Sequence, residues 1–123
     1  MPTGTEMILV VEDDHAVQAF ATAVLTHLGY HVEVAADGRQ AIELLPTIAT
    51  PDLLLTDMVL PGGMDGLKTA QEVVRRCPTT RVLIVSGHTD RDFLRSGGQD
   101  LEFMPKPYTR EALAARVRKV LDA

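Results

Sequence analysis

Four carboxylates are the first residues whose types and spacing could do chemistry. Glu12, Asp13 and Asp14 stand in a row directly after the apolar run of residues 7 to 11, and Asp57 closes a second apolar run at residues 53 to 56. Ser86, followed by Gly87, closes a third run at residues 81 to 85. Lys106 sits between Pro105 and Pro107 after a weaker run at residues 101 to 104. Acids crowded together repel one another. A hard divalent cation relieves that repulsion, and Mg²⁺ takes oxygen ligands, keeps several waters and needs only one or two carboxylates from the protein. With such a cation beside it, Asp57 could attack a phosphoryl group and form an acyl phosphate. The cation and Lys106 would neutralise charge on the transferring oxygens, and the Ser86 hydroxyl could hydrogen-bond the product.

Taken singly, each residue has a plainer alternative. Asp13 or Asp14 can cap a helix that begins just after them. Asp57 could be a turn residue ahead of Pro61, and Lys106 a solvated turn lysine. What joins them is the order of the elements. Residues 7 to 11 form a continuous apolar run, the pattern of a strand buried on both faces. Val17, Phe20, Ala21, Val24, Leu25 and Leu28 recur with helical period, and Gly29 supplies a stop. Residues 31 to 35 alternate and read as a strand nearer an edge. Asp37-Gly38 is a turn and cap before a helix over residues 39 to 45, and residues 46 to 51 connect it to a third strand over 52 to 56. Pro61-Gly62-Gly63 breaks the chain, and Leu67, Ala70, Val73 and Val74 form a further helical stripe. A fourth strand at 81 to 85, a short helix at 90 to 96 ended by Gly97-Gly98, a fifth strand at 101 to 104 and a last helix capped by Thr109 complete the pattern. Strand and helix alternate five times, which predicts a parallel sheet with helices on both faces. Right-handed crossovers restrict this to a doubly wound α/β sheet. Ligands bind such sheets beyond the carboxyl ends of the strands, and that edge is where Glu12, Asp13, Asp57, Ser86 and Lys106 must collect.

Composition bounds the reading from outside. The 123 residues suit one domain, and a hydrophobic share of 46% is enough for a core without staples. The net charge of −5 argues against nucleic acid held on a basic face. The single cysteine, Cys77, excludes an internal disulfide and reads as structural or incidental, as expected of a reducing cytoplasm. No apolar run reaches the ~18 residues of a membrane-spanning helix, and the opening residues lack the pattern of a secretory signal. Residues 1 to 6 read as a tail or linker remnant, and residues 7 to 122 as the domain.

The chain resembles the receiver domain of two-component response regulators. The resemblance is carried by residues 8 to 14, residues 53 to 57, Leu60-Pro61, Asp65-Gly66, Val85-Ser86-Gly87 and Lys106-Pro107, and covers residues 7 to 121. It implies a flavodoxin-like receiver fold with five helices and strand order 2-1-3-4-5. It implies Glu12 and Asp13 as metal-binding acids, Asp57 as phosphoacceptor and metal ligand, and the backbone carbonyl of Val59 as a further Mg²⁺ ligand. Ser86 is similar to the hydroxyl that moves toward the phosphoryl group. Lys106 is similar to the lysine that pairs with that group, on a cis peptide bond to Pro107. Phe103 is similar in position to the aromatic that turns inward with the switch. Ser86 and Phe103 would then couple Asp57 to the face formed by the fourth helix, fifth strand and fifth helix, through which such domains also form weak homodimers. The segment from Pro61 to Gly66 is one residue longer than the commonest form and is similar to receivers attached to, or partnered with, hybrid histidine kinases. Val59 and His88 are similar in position to residues that tune dephosphorylation.

The function implied is that of a phosphorelay module, not a turnover enzyme. The donor would be a phosphohistidine on a histidine kinase or a histidine phosphotransfer protein, docking near His15, Ala16, Ala19 and the loop at Pro61. With no DNA-binding segment in the chain, the output expected is a partner protein. Two enzyme or carrier readings compete. A haloacid-dehalogenase-like phosphatase would need an acid two positions after Asp57, where Val59 stands, and a flavodoxin-like carrier would need a phosphate loop where Glu12-Asp13-Asp14 stand. A degenerate receiver acting only as a binding module would not need the intact set of five polar residues.

Overall fold

The computed structural model describes residues 1 to 87 and 102 to 123. Five strands, β1 (Met7–Val11), β2 (His31–Ala35), β3 (Leu53–Asp57), β4 (Arg81–Ser86) and β5 (Glu102–Pro105), form one parallel sheet in the order β2-β1-β3-β4-β5. Four helices lie among the described residues: α1 (His15–His27), α2 (Gly38–Leu44), α3 (Gly66–Arg76) and α4 (Arg110–Asp122). The helix expected over residues 90 to 96 lies outside the described residues, as do His88 and Leu101. No helix among the described residues is long and apolar enough to cross a membrane.

The continuous apolar strands are explained by the sheet's two covered faces. Side chains alternate along a strand. Ile8, Val10, Leu53, Leu55, Leu83 and Val85 pack with Leu25 of α1 and with Leu113 and Val117 of α4. Their neighbours Leu9, Val11 and Leu54 pack on the other side with Ala41 of α2 and with Ala70 and Val73 of α3. Asp57 lies two residues beyond Leu55, and Lys106 two beyond Met104, so both continue the strand parity of the α1 and α4 face. β2, the alternating strand, is at the sheet edge as its pattern required.

Each helix starts from a capping side chain in the loop that leaves a strand. Asp14 accepts from the backbone N–H groups of Ala16 and Val17, Asp37 from Gln40, Asp65 from Lys68 and Thr109 from Ala112. Each cap supports its helix by about 1 kcal/mol. Asp14 is therefore the cap of α1, which leaves Asp13 free for other work. Gly29 ends α1 with φ 104°, a left-handed conformation that glycine adopts without cost.

Several boundaries depart from the sequence-based expectation. β3 begins at Leu53; Asp52 before it donates its N–H to the Met7 carbonyl (2.8 Å) and turns its carboxylate onto the Met7 N–H (2.9 Å). α2 stops at Leu44 and tightens into a 3₁₀ turn, Leu45–Thr47. Pro46 lacks the N–H that an α-helix would need there. Phe20, expected in the apolar stripe of α1, is instead 40% exposed and meets Tyr108 at a ring-centroid distance of 6.0 Å.

Residues 3 to 6 are hydrogen-bonded to the domain. Gly4 N–H donates to the Leu28 carbonyl (3.1 Å) and His31 N–H to the Glu6 carbonyl (3.0 Å). The Arg118 guanidinium on α4 reaches Glu6 Oε2 (2.6 Å), Asp122 Oδ1 (2.8 Å), the Thr3 carbonyl (3.1 Å) and the Tyr30 hydroxyl (3.3 Å). The hydrogen bond from Arg118 to Glu6 holds the Glu6 carboxyl below the usual carboxylate range. A depressed folded-state pKa contributes stability above the unfolded value near 4.5 and loses it as pH falls through the folded value. Arg118→Met is expected to lower unfolding stability by about 1 kcal/mol at pH 7. In urea titrations, that difference from the parent should narrow below about pH 4 as Glu6 protonates. A pH-independent difference would mean that Arg118 acts through packing alone.

Candidate functional site

The strand order reverses between β1 and β3: from β1 the chain continues on one side to β2 and returns on the other as β3. Glu12 follows β1 directly and Asp57 ends β3, so the two acids flank that crevice. Glu12, Asp13 and Asp57 each offer a carboxylate oxygen, and these oxygens lie within 4.8 Å of one another. Glu12 is 5% exposed and Asp57 8% exposed, whereas Asp13 is open to solvent. Lys106 Nζ stands 2.6 Å from Asp57 Oδ2 and 3.4 Å from Glu12 Oε1. The five-residue set expected at this edge is thus represented by four charges in direct contact range and by Ser86 nearby in the next strand end.

The backbone around each acid is held. Glu12 N–H donates to the Ala35 carbonyl of β2 (3.0 Å). Its Oε2 accepts from Asp14 N–H (3.1 Å), and its own carbonyl accepts from Gln18 Nε2 (3.0 Å). Asp57 pairs with Val85 of β4, and its carbonyl accepts from the buried Thr56 hydroxyl (3.0 Å). Past it, Met58 N–H donates to the Val85 carbonyl (2.8 Å) and Gly66 N–H to the Met58 carbonyl (2.7 Å). Gly66 lies so close that a Cβ there would collide with the Asp57 carbonyl oxygen. The start of α3 therefore clamps the end of β3.

Lys106 is set by its own neighbours. Its N–H donates to the Ser86 carbonyl (3.0 Å), and its peptide bond to Pro107 is cis, as the resemblance implied. Burial disfavours the ammonium, but the hydrogen bond to Asp57 and the charges of Asp57 and Glu12 outweigh it and leave the Lys106 pKa above the ordinary lysine value. Burial pushes the Glu12 carboxyl up, and the charge of Asp57 adds to the shift. Tyr108, two residues after Lys106, is pushed up to about 12 by burial and by the charge of Glu12.

Ser86 is fully buried at the end of β4, and its Oγ finds no hydrogen-bond partner among the described residues. A buried hydroxyl left unpaired costs about 1–3 kcal/mol. Phe103 is half-buried against Met58 and Ile84, and its carbonyl accepts from Arg116 of α4 (2.6 Å). The Val59 side chain is 65% exposed. The donor set suits a hard cation: three carboxylates, all oxygen ligands, one of them open to water, with a lysine already drawn to the same negative charge.

Sequence reasoning missed Gln18, Thr56, Tyr108 and Arg116. Gln18 sits in a helix and Thr56 in a strand whose patterns report burial only, and Arg116 looks like a solvated helix residue. A signal existed for Tyr108 alone, in its closeness to Lys106.

An open parallel sheet with a carboxylate cluster and a lysine at its switch point defines the class: a doubly wound α/β module with a charged carboxyl edge. Within that class, this chain belongs to the response regulator receiver domain family, whose sequence profile matches residues 8–118. It is 32% identical over 123 residues to the sensor kinase CckA of Brucella abortus, covering 98% of this chain and 13% of that protein. It is 35% identical over 119 residues to the response regulator MprA of Mycolicibacterium vanbaalenii, covering 93% of this chain and 49% of that protein. The chain thus spans half or less of these curated relatives. Among solved structures, a response regulator receiver protein from Sinorhizobium medicae matches with a TM-score of 0.85 and 27% identity, covering 97% of this chain and 96% of that one.

Because Gly66 presses on the backbone of Asp57 and Met58, Gly66→Ala is expected to cost about 1–3 kcal/mol in urea denaturation. A cost under a few tenths would show that the clamp yields freely.

Proposed function

We propose that this receiver takes a phosphoryl group onto Asp57 with Mg²⁺ and signals by the conformational change that follows. The observation that carries the reading is the contact of Lys106 with a nearly buried Asp57 whose carboxylate also faces Glu12 and Asp13. Glu12, Asp13 and Asp57, with the backbone carbonyl of Val59, would hold the ion. When bound, Mg²⁺ supplies positive charge against the oxygens of the transferring phosphoryl group.

The chain's own residues do the rest. An Asp57 carboxylate oxygen attacks phosphorus, the P–N bond to the donor histidine breaks, and the departing imidazole keeps the electron pair and takes a proton from solvent. Lys106 Nζ transfers its hydrogen bond from Asp57 Oδ2 to a phosphoryl oxygen. Ser86 Oγ gains the acceptor it lacks. Such bonds exist in one state only, which is the requirement for a population shift. Moving an equilibrium from 1:99 to 99:1 takes ~5.5 kcal/mol, and two or three charge-assisted hydrogen bonds are of that order. Phe103 on β5, beside Ile84 of β4, would follow Ser86 inward and pass the change to the face shared by β5 and α4.

The donor class is a histidine kinase or a histidine phosphotransfer protein, in the cytoplasm. The 32% identity to a sensor kinase and the long loop at Pro61 support a receiver of the hybrid-kinase type, excised or stand-alone. The output is a partner protein, with no direct contact to nucleic acid or membrane. Monomer and weak homodimer through the β5 and α4 face both fit. The module is a phosphoacceptor with self-catalysed gain and loss of phosphate, not a turnover enzyme.

Intact-mass spectrometry after incubation with Mg²⁺ and acetyl phosphate tests the chemistry. One phosphoryl group should be gained, and none after chelation or in Asp57→Asn. A gain that persists in Asp57→Asn would overturn the assignment of the acceptor. Lys106→Ala is expected to slow phosphorylation roughly 10- to 100-fold, while Ser86→Ala should accept phosphate yet lose the amide shifts on β5 and α4. Equal shifts in Ser86→Ala and the parent would remove Ser86 from the switch.

A further inference from the structure

The loop from Glu12 to Asp14 has to place two carboxylates at one point, and its hydrogen bonds are nearly all internal to the loop or to neighbouring backbone. Glu12 N–H bonds β2, Asp14 N–H bonds Glu12 Oε2, and Asp14 Oδ1 accepts from Ala16 and Val17. The Glu12 carbonyl is different. Its donor is the side-chain amide of Gln18, which reaches back six residues from one turn inside α1 (3.0 Å). The acceptor is a carbonyl, so the amide must present its NH₂ group. Gln18 is half-buried and lines the open side of α1 with Ala19 and Thr22. Its backbone N–H makes the first helical bond, to the Asp14 carbonyl (2.9 Å), but the cap needs nothing from its side chain, and the apolar cores do not include it.

We propose that Gln18 is a positioning residue for the cation site: by holding the Glu12 carbonyl to the first turns of α1 it fixes where Glu12 and Asp13 present their oxygens. This rests on reading those acids as metal ligands. Groups that orient ligands without touching the metal commonly set affinity. Gln18 acts one step further out, through a single neutral hydrogen bond, for which a three- to tenfold effect is the expected order.

The test is a Mg²⁺ titration of the full chain, followed by amide NMR shifts of residues 12 to 14 and 56 to 58, on the parent, Gln18→Met and Gln18→Ala. Urea denaturation in chelator runs beside it. The half-saturating Mg²⁺ concentration should rise about three- to tenfold in both variants, with the urea midpoint in chelator nearly unmoved. In acetyl phosphate assays, the Mg²⁺ concentration for half-maximal rate should rise by more than the plateau rate falls. An unchanged half-saturation, or a rise matched by lost stability in chelator, overturns the role of Gln18 while leaving the metal site standing. A parent that shows no Mg²⁺-dependent shifts overturns the metal reading itself, and the role of Gln18 with it.

Discussion

Crowding of like charge at the carboxyl edge of the sheet is the constraint on which the rest of this structure depends. Three carboxylates offer oxygens within 4.8 Å of one another, and one ammonium answers them at 2.6 Å. Counting one unit each, the cluster carries −3 from Glu12, Asp13 and Asp57 and +1 from Lys106, or −2 in all. Groups in this situation do not stay together unless the backbone holds them. Burial first, and then the charge of Asp57, holds the Glu12 carboxyl above its usual range.

The scaffold supplies the holding force in two ways. The central strands are packed on both faces and β3 is paired on both edges, so the strand ends are held by packing and by the parallel ladders together. β3 is buried along its whole length, and that rigidity ends at Asp57. The loops beyond the strands are then tied by short local bonds: Asp14 caps α1 and bonds Glu12, Gly66 presses on the Asp57 backbone, and Lys106 N–H is bonded to the Ser86 carbonyl. Few of these bonds are strong alone. Together they convert a repulsive arrangement into a fixed one with a defined place for added positive charge.

The same site holds a shortage as well as an excess. Ser86 Oγ is buried without a partner among the described residues, beside the strand end that carries Asp57. An unpaired buried donor is tolerable when another state of the molecule pairs it. Excess negative charge that calls for a cation, and a donor that calls for an oxygen anion, are complementary needs, and a phosphoryl group with its metal would meet both. The aromatic pair of Phe20 and Tyr108 borders Lys106 on the side of α1, so the surface next to this chemistry is apolar and open.

Much of this was legible in the sequence, because the signals involved are local. Continuous apolar runs marked β1, β3 and β4, alternation marked β2 as an edge, and helical stripes with Asp, Thr and Gly at their ends marked the helices. The rule that ligands sit at the carboxyl ends of parallel strands then singled out Glu12, Asp13, Asp57, Ser86 and Lys106. Tertiary structure alone decided the partners. Lys106 meets Asp57 across 49 positions and Arg118 meets Glu6 across 112, distances over which residue types carry no directional information. Only folding showed Asp14 rather than Asp13 to be the cap, Phe20 to be exposed, and Gln18 to reach the Glu12 carbonyl. Periodicity reports which face of an element is buried. It does not report which atoms meet there, because that depends on how elements far apart in the chain are brought together.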